Sequence, residues 1–349
     1  MAEESQKRVY ILDGLRFLAA IGVVLYHLAF RMPMIDRLGG PEFPEIVSWT
    51  KYLHLGVRLF FMISGFVIAF TAEGKSALQF AWSRVVRLYP AYWLCVGITF
   101  TICHYFWRPQ FDLTLGQGLF NLTMLQGIFK VPHVDWPYWT LVEELRFYGL
   151  IFLLLTFKQF HRLLTFVAVW LAICAIDLFK HVPLAHYEMS LEHAPFFAAG
   201  VVYYDAFKRG FLPVHWLLAT ASFLLGCKRF LDWSAMDGET MGATCSPVVI
   251  VSIFAVLHLT FILIALDKLA IRTQQRWLVI AGGITYPLYL IHNRLGVTAL
   301  IALQPTTGRW LSLGIVCVGA CVVSYAIWRW WEQPLSAWLR RLSRSWFAS

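Results

Sequence analysis

Apolar runs about twenty residues long recur along this chain, separated by short polar connections, and no other feature limits its fold so strongly. A helix rising 1.5 Å per residue needs about 20 such residues to cross a hydrocarbon core of about 30 Å. Backbone groups facing lipid must be satisfied within the segment, so helices are the expected solution. Ten runs fit: 10–30, 53–72, 88–106, 138–157, 161–179, 193–207, 212–227, 247–266, 277–303 and 311–331. Composition agrees, since 14% of residues are charged against about 25% in soluble domains. There is neither an internal repeat nor a low-complexity linker. The expectation is an all-α polytopic membrane helical bundle of about ten transmembrane helices. It forms one domain over 1–349, with a basic cytoplasmic tail at 332–349.

The net charge of +9 raises the question of nucleic acid. The placement of the charges answers it. With the N-terminus in the cytoplasm, 16 Lys and Arg fall on the inner side and 10 on the outer, as the positive-inside rule requires. No basic run interleaved with aromatics lies outside the loops and tail, so no nucleic-acid partner is expected. Both termini are placed inside, and the protein is expected in a bacterial inner (cytoplasmic) membrane as a multi-pass protein among membrane lipids. The first run contains Asp13, Arg16 and His27 and lacks a small-residue cleavage site, so it reads as a helix and not as a signal peptide. Segment 111–130 is expected to hold an interfacial helix. The tail, with Arg340, Arg341, Arg344, Trp338, Trp346 and Phe347, reads as another on the anionic leaflet, without a catalytic role. Cys227 and Cys245 bracket one outer loop and allow a disulfide; no cysteine spacing suits zinc, and no metal is expected.

Ionisable residues inside apolar runs are costly and mark function. Those here are Asp13, Arg16, Arg58, Glu143, Glu144 and Arg146, joined by His27 and His292. Arg16 and His27 are 11 residues apart, almost three full turns, so they share a face roughly 16 Å apart along the axis. Asp13 precedes Arg16 by one turn and pairs with it. Depth along the fourth and ninth runs brings Glu144 and His292 to the outer level of His27. Glu143 is about 100° around the helix from Glu144, so only one of them faces that cluster. Tyr148 shares the face of Glu144. At the inner level, Arg84 and Arg87 open the third run and join Arg16 in a cationic mouth suited to phosphate. A long anionic cofactor entering from the cytosol would fit this track, its reactive end meeting a histidine base. A proton-coupled transporter or flippase would also place His and Glu mid-membrane. These residues alone leave both readings open.

The segment LDGLRFLAAIGVVLYH resembles the Arg-x10-His signature of the acyltransferase family 3 membrane enzymes, through Arg16 and His27. HLGVRLFFMISGFVI is similar to that family's Gly-Val-x-Leu-Phe-Phe-x-x-Ser-Gly-Phe block, carried by Gly56, Phe60, Phe61, Ser64, Gly65 and Phe66. RVVRLYPAYW resembles its basic-Leu-Tyr-Pro segment, with Arg84, Arg87, Pro90 and Tyr92, and WTLVEELRFY the element that singles out Glu144. GGITYPLYLIH and WEQP are similar to its closing elements, through Tyr286, Leu288, Tyr289, His292, Glu332 and Pro334. Five blocks occur in order over about 11–334; the chain departs at Arg58, where many members carry an acid, and at Thr285. The resemblance implies transfer of an acyl group, usually acetyl, from cytosolic acyl-CoA to a hydroxyl of an extracytoplasmic or lipid-linked glycan. His27 would be the essential histidine, Arg16 part of the cofactor path, and Glu144 its catalytic partner. Acetyl-CoA would be the donor co-substrate, with succinyl the second candidate because Arg58 would meet a succinyl carboxylate. Some members carry a fused esterase-like domain; this chain ends at Ser349 without one, so transfer is expected from the membrane domain alone.

Overall fold

The structure is a computed structural model and describes residues 9–36, 39–108, 110–237, 244–269 and 275–344. Lys7, Arg8, Arg37 and Arg272 of the charge count, and Trp346 and Phe347 of the tail, lie outside the described residues. Those described form helices joined by turns, with no strand among them. The principal helices are α1 (Tyr10–Leu25), α2 (Gly56–Ala72), α3 (Ala77–Phe106), α4 (Trp139–Thr156), α5 (Leu163–Phe179) and α6 (Ala194–Arg209). They continue as α7 (Pro213–Asp237), α8 (Pro247–Ala265), α9 (Arg276–Ile291), α10 (Arg294–Thr307), α11 (Arg309–Ala326) and α12 (Gln333–Arg344). α1 passes into wider π-type turns over Tyr26–Asp36, and a second π segment, Ile327–Glu332, joins α11 to α12. Such turns recur at functional sites, and His27 and Glu332 both sit in them.

All ten expected runs are helical. Among the described residues six stretches are long and apolar enough to cross a membrane: Tyr10–Met32, Val47–Ala72, Ala77–Phe106, Phe160–Phe179, Pro247–Ala265 and Arg309–Ser343. Others fall short for a physical reason. α4 carries Glu143, Glu144 and Arg146, and α6 has 16 residues. α6 is buried without a break from Ala194 to Ala206, so protein surrounds it. α2 packs on it most extensively, and α5, α7 and α8 close around the rest. Gly65 and Gly200 permit the α2–α6 approach, because a Cβ on either would run into backbone atoms of the other helix; small residues at such crossings let helices pack in membranes. α1 lies between α2 and α9, and α3 meets α9, α4 and α12.

Four expectations need correction. The ninth run is not one helix over 277–303 but breaks between α9 and α10 at Asn293, whose side chain donates to Asp135 Oδ1 at 2.7 Å. The third helix starts at Ala77 instead of residue 88, because Ser76 and Gln79 close a capping box there. Arg84 and Arg87 therefore lie within the helix. Within 111–130 only Leu115–Asn121 is α-helical. Cys227 and Cys245 are free thiols, Cys227 being buried in α7.

Candidate active site

Among the described residues, an inner and an outer cavity in the bundle share Val57 and Tyr289 in their walls. The inner one, about 790 Å³, is lined by Arg16, Lys75, Arg84, Arg87 and Arg340 against a single carboxylate, Glu144. The outer one, about 480 Å³, contains His27, His54, His186 and His193, three arginines (Arg31, Arg58, Arg146), Glu143 and Glu192, with Trp136, Trp139 and Trp233.

In the inner cavity the expected Asp13–Arg16 pair is present at 3.9 Å, one turn apart on α1. Glu144 accepts a hydrogen bond from Ser64 Oγ on α2. Tyr148, one turn further along α4, lies within hydrogen-bonding reach of the same carboxylate. Arg84 stacks its guanidinium over Phe80 at 5.6 Å and Tyr148 at 5.9 Å. Arg87 is ion-paired with the buried Glu332 and lies 5.6 Å over the Tyr286 ring.

His27 is buried in the outer cavity, its ring 4.9 Å from that of His292. Its Nδ1 has no hydrogen-bond partner among the described residues, and the Asn293 side chain lies within hydrogen-bonding reach of the ring. His292 Nδ1 lies 2.8 Å from the Tyr289 carbonyl. A carbonyl only accepts, so that nitrogen carries the proton and the unpartnered Nε2 of the neutral ring presents a lone pair. Arg58 lies 2.7 Å from His193 Nδ1 and 4.0 Å from Glu192. Glu143 bonds Arg146 at 2.5 Å and accepts from Ser190 Oγ.

The structure thus brings His27 and His292 together, as expected, and does not bring Glu144 to them. Glu144 lines the inner cavity, while Glu143 faces the outer one. The 100° step around α4 divides the two acids between cavities, and Ser64 fixes Glu144 on the inner side. Sequence reasoning missed Ser64, Asp135, Asn293, Lys75 and Arg340. Ser64 stood inside a quoted block without a role. Asp135 holds both Asn293 and the Arg294 N–H, at 2.7 and 3.1 Å, a contact between segments far apart in sequence. At the edge of the outer cavity, which His186 also lines, Asp177, His181 and His186 have ligand atoms within 4.8 Å of one another. Asp177 is already bonded by the Val182 N–H at 2.8 Å and Arg229 at 2.7 Å, so the group is explained as a structural network.

A family described as the acyltransferase domain matches residues 9–329. Acyltransferase MdmB of Streptomyces mycarofaciens is 28% identical over 169 residues, covering 46% of this chain and 41% of that protein. O-acetyltransferase OatA of Staphylococcus aureus is 28% identical over 174 residues, covering 42% of this chain and 24% of the relative. Peptidoglycan O-acetyltransferase OatA of Listeria monocytogenes is 33% identical over 113 residues, 30% of this chain and 15% of its own length. The chain spans about two fifths or less of these relatives. No solved structure matches.

Proposed function

This chain belongs to acyltransferase family 3, and on that premise we propose that it moves an acetyl or succinyl group from cytosolic acyl-CoA to a glycan hydroxyl. The acceptor is extracytoplasmic or lipid-linked, and the protein is a ten-span, N-in and C-in protein of a bacterial inner membrane. One observation carries the reading. A cavity lined by five cations against one carboxylate abuts, through Val57 and Tyr289, a second cavity that holds an unpartnered histidine nitrogen.

Arginine clusters suit the diphosphate of a nucleotide donor, which assigns Arg16, Arg84 and Arg87 to acyl-CoA. Arg84 is the best placed, since among the described residues it has no carboxylate partner, whereas Arg87 is held by Glu332. Glu144, fixed by Ser64, neighbours Arg16 and Tyr148 on the inner side and orients the donor arm there. The pantetheine arm runs outward past Val57 and Tyr289 toward His27, along the roughly 16 Å that separate Arg16 from it.

In the outer cavity the indole faces of Trp136, Trp139 and Trp233 offer apolar walls to a sugar ring. His27 Nδ1 takes the proton of the acceptor hydroxyl as its oxygen attacks the thioester carbonyl. The C–S bond breaks, the ester forms, and the CoA thiolate leaves and is protonated by the imidazolium. Arg58 is engaged by His193 and Glu192, and in this reading it shapes the acceptor side.

The test is release of free thiol from acetyl-CoA and from succinyl-CoA by the purified protein, with mass spectrometry of the glycan. Thiol release matched by an added acyl mass on the glycan supports the reading. Movement of a solute without thioester consumption supports a transporter instead.

A further inference from the structure

The C-terminal helix does more than lie at the membrane surface. Pro90 interrupts α3, and having no N–H it cannot bond the carbonyl of Val86 four residues earlier. Ser336 of α12 supplies the missing donor, its Oγ bonding Val86 O at 3.0 Å. Trp331 Nε1 donates to the Pro90 carbonyl at 2.7 Å just before that helix begins. These contacts dock α12 across the proline of α3. One turn beyond Ser336, Arg340 enters the wall of the inner cavity, and the buried Ser343 follows on the same face.

Lys75 meets the same cavity from the α2–α3 connection, just before the Ser76 cap of α3. Among the described residues neither Lys75 nor Arg340 forms an ion pair, although the Glu332 carboxylate lies close enough to Arg340 to feel its charge. The positive end of the 30-residue α3 dipole also lies at this rim. Partial burial and then the charge of Arg84 hold the Lys75 ammonium below its ordinary pKa. A cation so placed gains from an anion.

We propose that Lys75 and Arg340 form a subsite for a phosphomonoester at the far end of the donor, namely the ribose 3′-phosphate of coenzyme A. This rests on the acyl-CoA reading. With the thioester near His27 and the diphosphate at the level of Arg16 and Arg84, the 3′-phosphate is the group left at the rim. It is also the most highly charged group of the donor, since a phosphomonoester carries about −1.5 to −2 at pH 7. Lipid phosphate offers the same chemistry to a basic helix; Arg340 and Arg341 are both exposed, but of the two Arg340 is the one that lines the cavity.

The experiment titrates CoA and 3′-dephospho-CoA into the full-length protein in phosphatidylcholine nanodiscs, and repeats it with phosphatidylglycerol added. The wild type should prefer CoA by about tenfold or more, as a charge-assisted contact implies. Arg340→Gln and Lys75→Gln should each reduce that preference and together remove it, with 3′-dephospho-CoA affinity unchanged as evidence of folding. Equal weakening toward both nucleotides, or an undiminished preference, overturns the subsite. So does a preference lost only in phosphatidylglycerol, which would assign these cations to lipid. A wild type that binds both nucleotides equally sinks the subsite alone, and one that binds neither sinks the acyl-CoA reading with it.

Discussion

The inner and outer cavities share α1, α2, α4 and α9 yet solve opposite problems. The inner one gathers Arg16, Lys75, Arg84, Arg87 and Arg340 with Glu144 in its wall, and although Asp13 and Glu332 compensate Arg16 and Arg87 from behind, cations still outnumber carboxylates. That surplus suits an anion. The outer one pairs most of its charges internally, Glu143 with Arg146 and Arg58 with Glu192, and leaves a ring nitrogen on each of His27 and His292 without a partner among the described residues. A region with uncompensated charge is suited to binding, whereas one with paired charges and a free base is suited to proton transfer. Substitutions should therefore separate into those that move donor affinity and those that move the rate.

The largest effect belongs to His27. His27→Ala or His27→Gln should lower transfer by about 10²–10⁴-fold, the usual worth of a general base, with CoA affinity unchanged. Substantial transfer by the Gln variant would reduce His27 to a packing residue. A trapped acyl adduct on His27 without acceptor would replace direct attack by a covalent relay.

Arg84→Ala comes next and should act in the other cavity. Loss of a charge-assisted phosphate contact, about 1.5–3 kcal/mol, should raise the KM for acyl-CoA at least tenfold and leave kcat at saturation nearly intact. A fall in kcat at constant KM would put Arg84 at the chemistry and erase the division. Glu144→Gln should follow Arg84 in kind at smaller size, shifting KM and leaving the pH profile of kcat in place. If it displaced the kcat profile as His27 substitutions do, Glu144 would belong functionally to the outer site.

The smallest effect on kcat, and the largest on folding, is expected at Arg87, with its part in acyl-CoA binding showing as a rise in KM smaller than that of Arg84→Ala. Its removal strands the buried Glu332 carboxylate, whose side chain is 6% exposed, and breaking such a pair is strongly destabilising. Arg87→Ala should lower Tm, and Arg87→Ala/Glu332→Gln should recover much of the loss. No recovery would show that Arg87 stabilises through some other contact.

Legibility in the sequence followed the distance over which each contact acts. Asp13–Arg16 pairing was readable because both lie one turn apart on a single helix. His27 and His292 met because counting residues from each helix end gives depth. The same counting failed for Glu144, since its side-chain direction depends on Ser64 of another helix, and a 100° step exchanges it with Glu143. The break after α9 was hidden because His292, Asn293 and Arg294 sit inside an otherwise apolar run, and only the distant carboxylate of Asp135 explains why Asn293 leaves the helix. Arg340 was read as a surface residue because its placement depends on an orphan carbonyl at Val86, which a hydropathy reading of the tail does not consider.

The claim that both cavities form one route is tested most directly where they share a wall. Val57→Trp puts bulk at that junction without removing a charge or a base. In single-turnover assays this variant should bind CoA within a few-fold of wild type and transfer no acyl group to the acceptor. Transfer at the wild-type rate through so narrowed a junction would mean that donor and acceptor meet elsewhere, and the two-cavity account would be wrong.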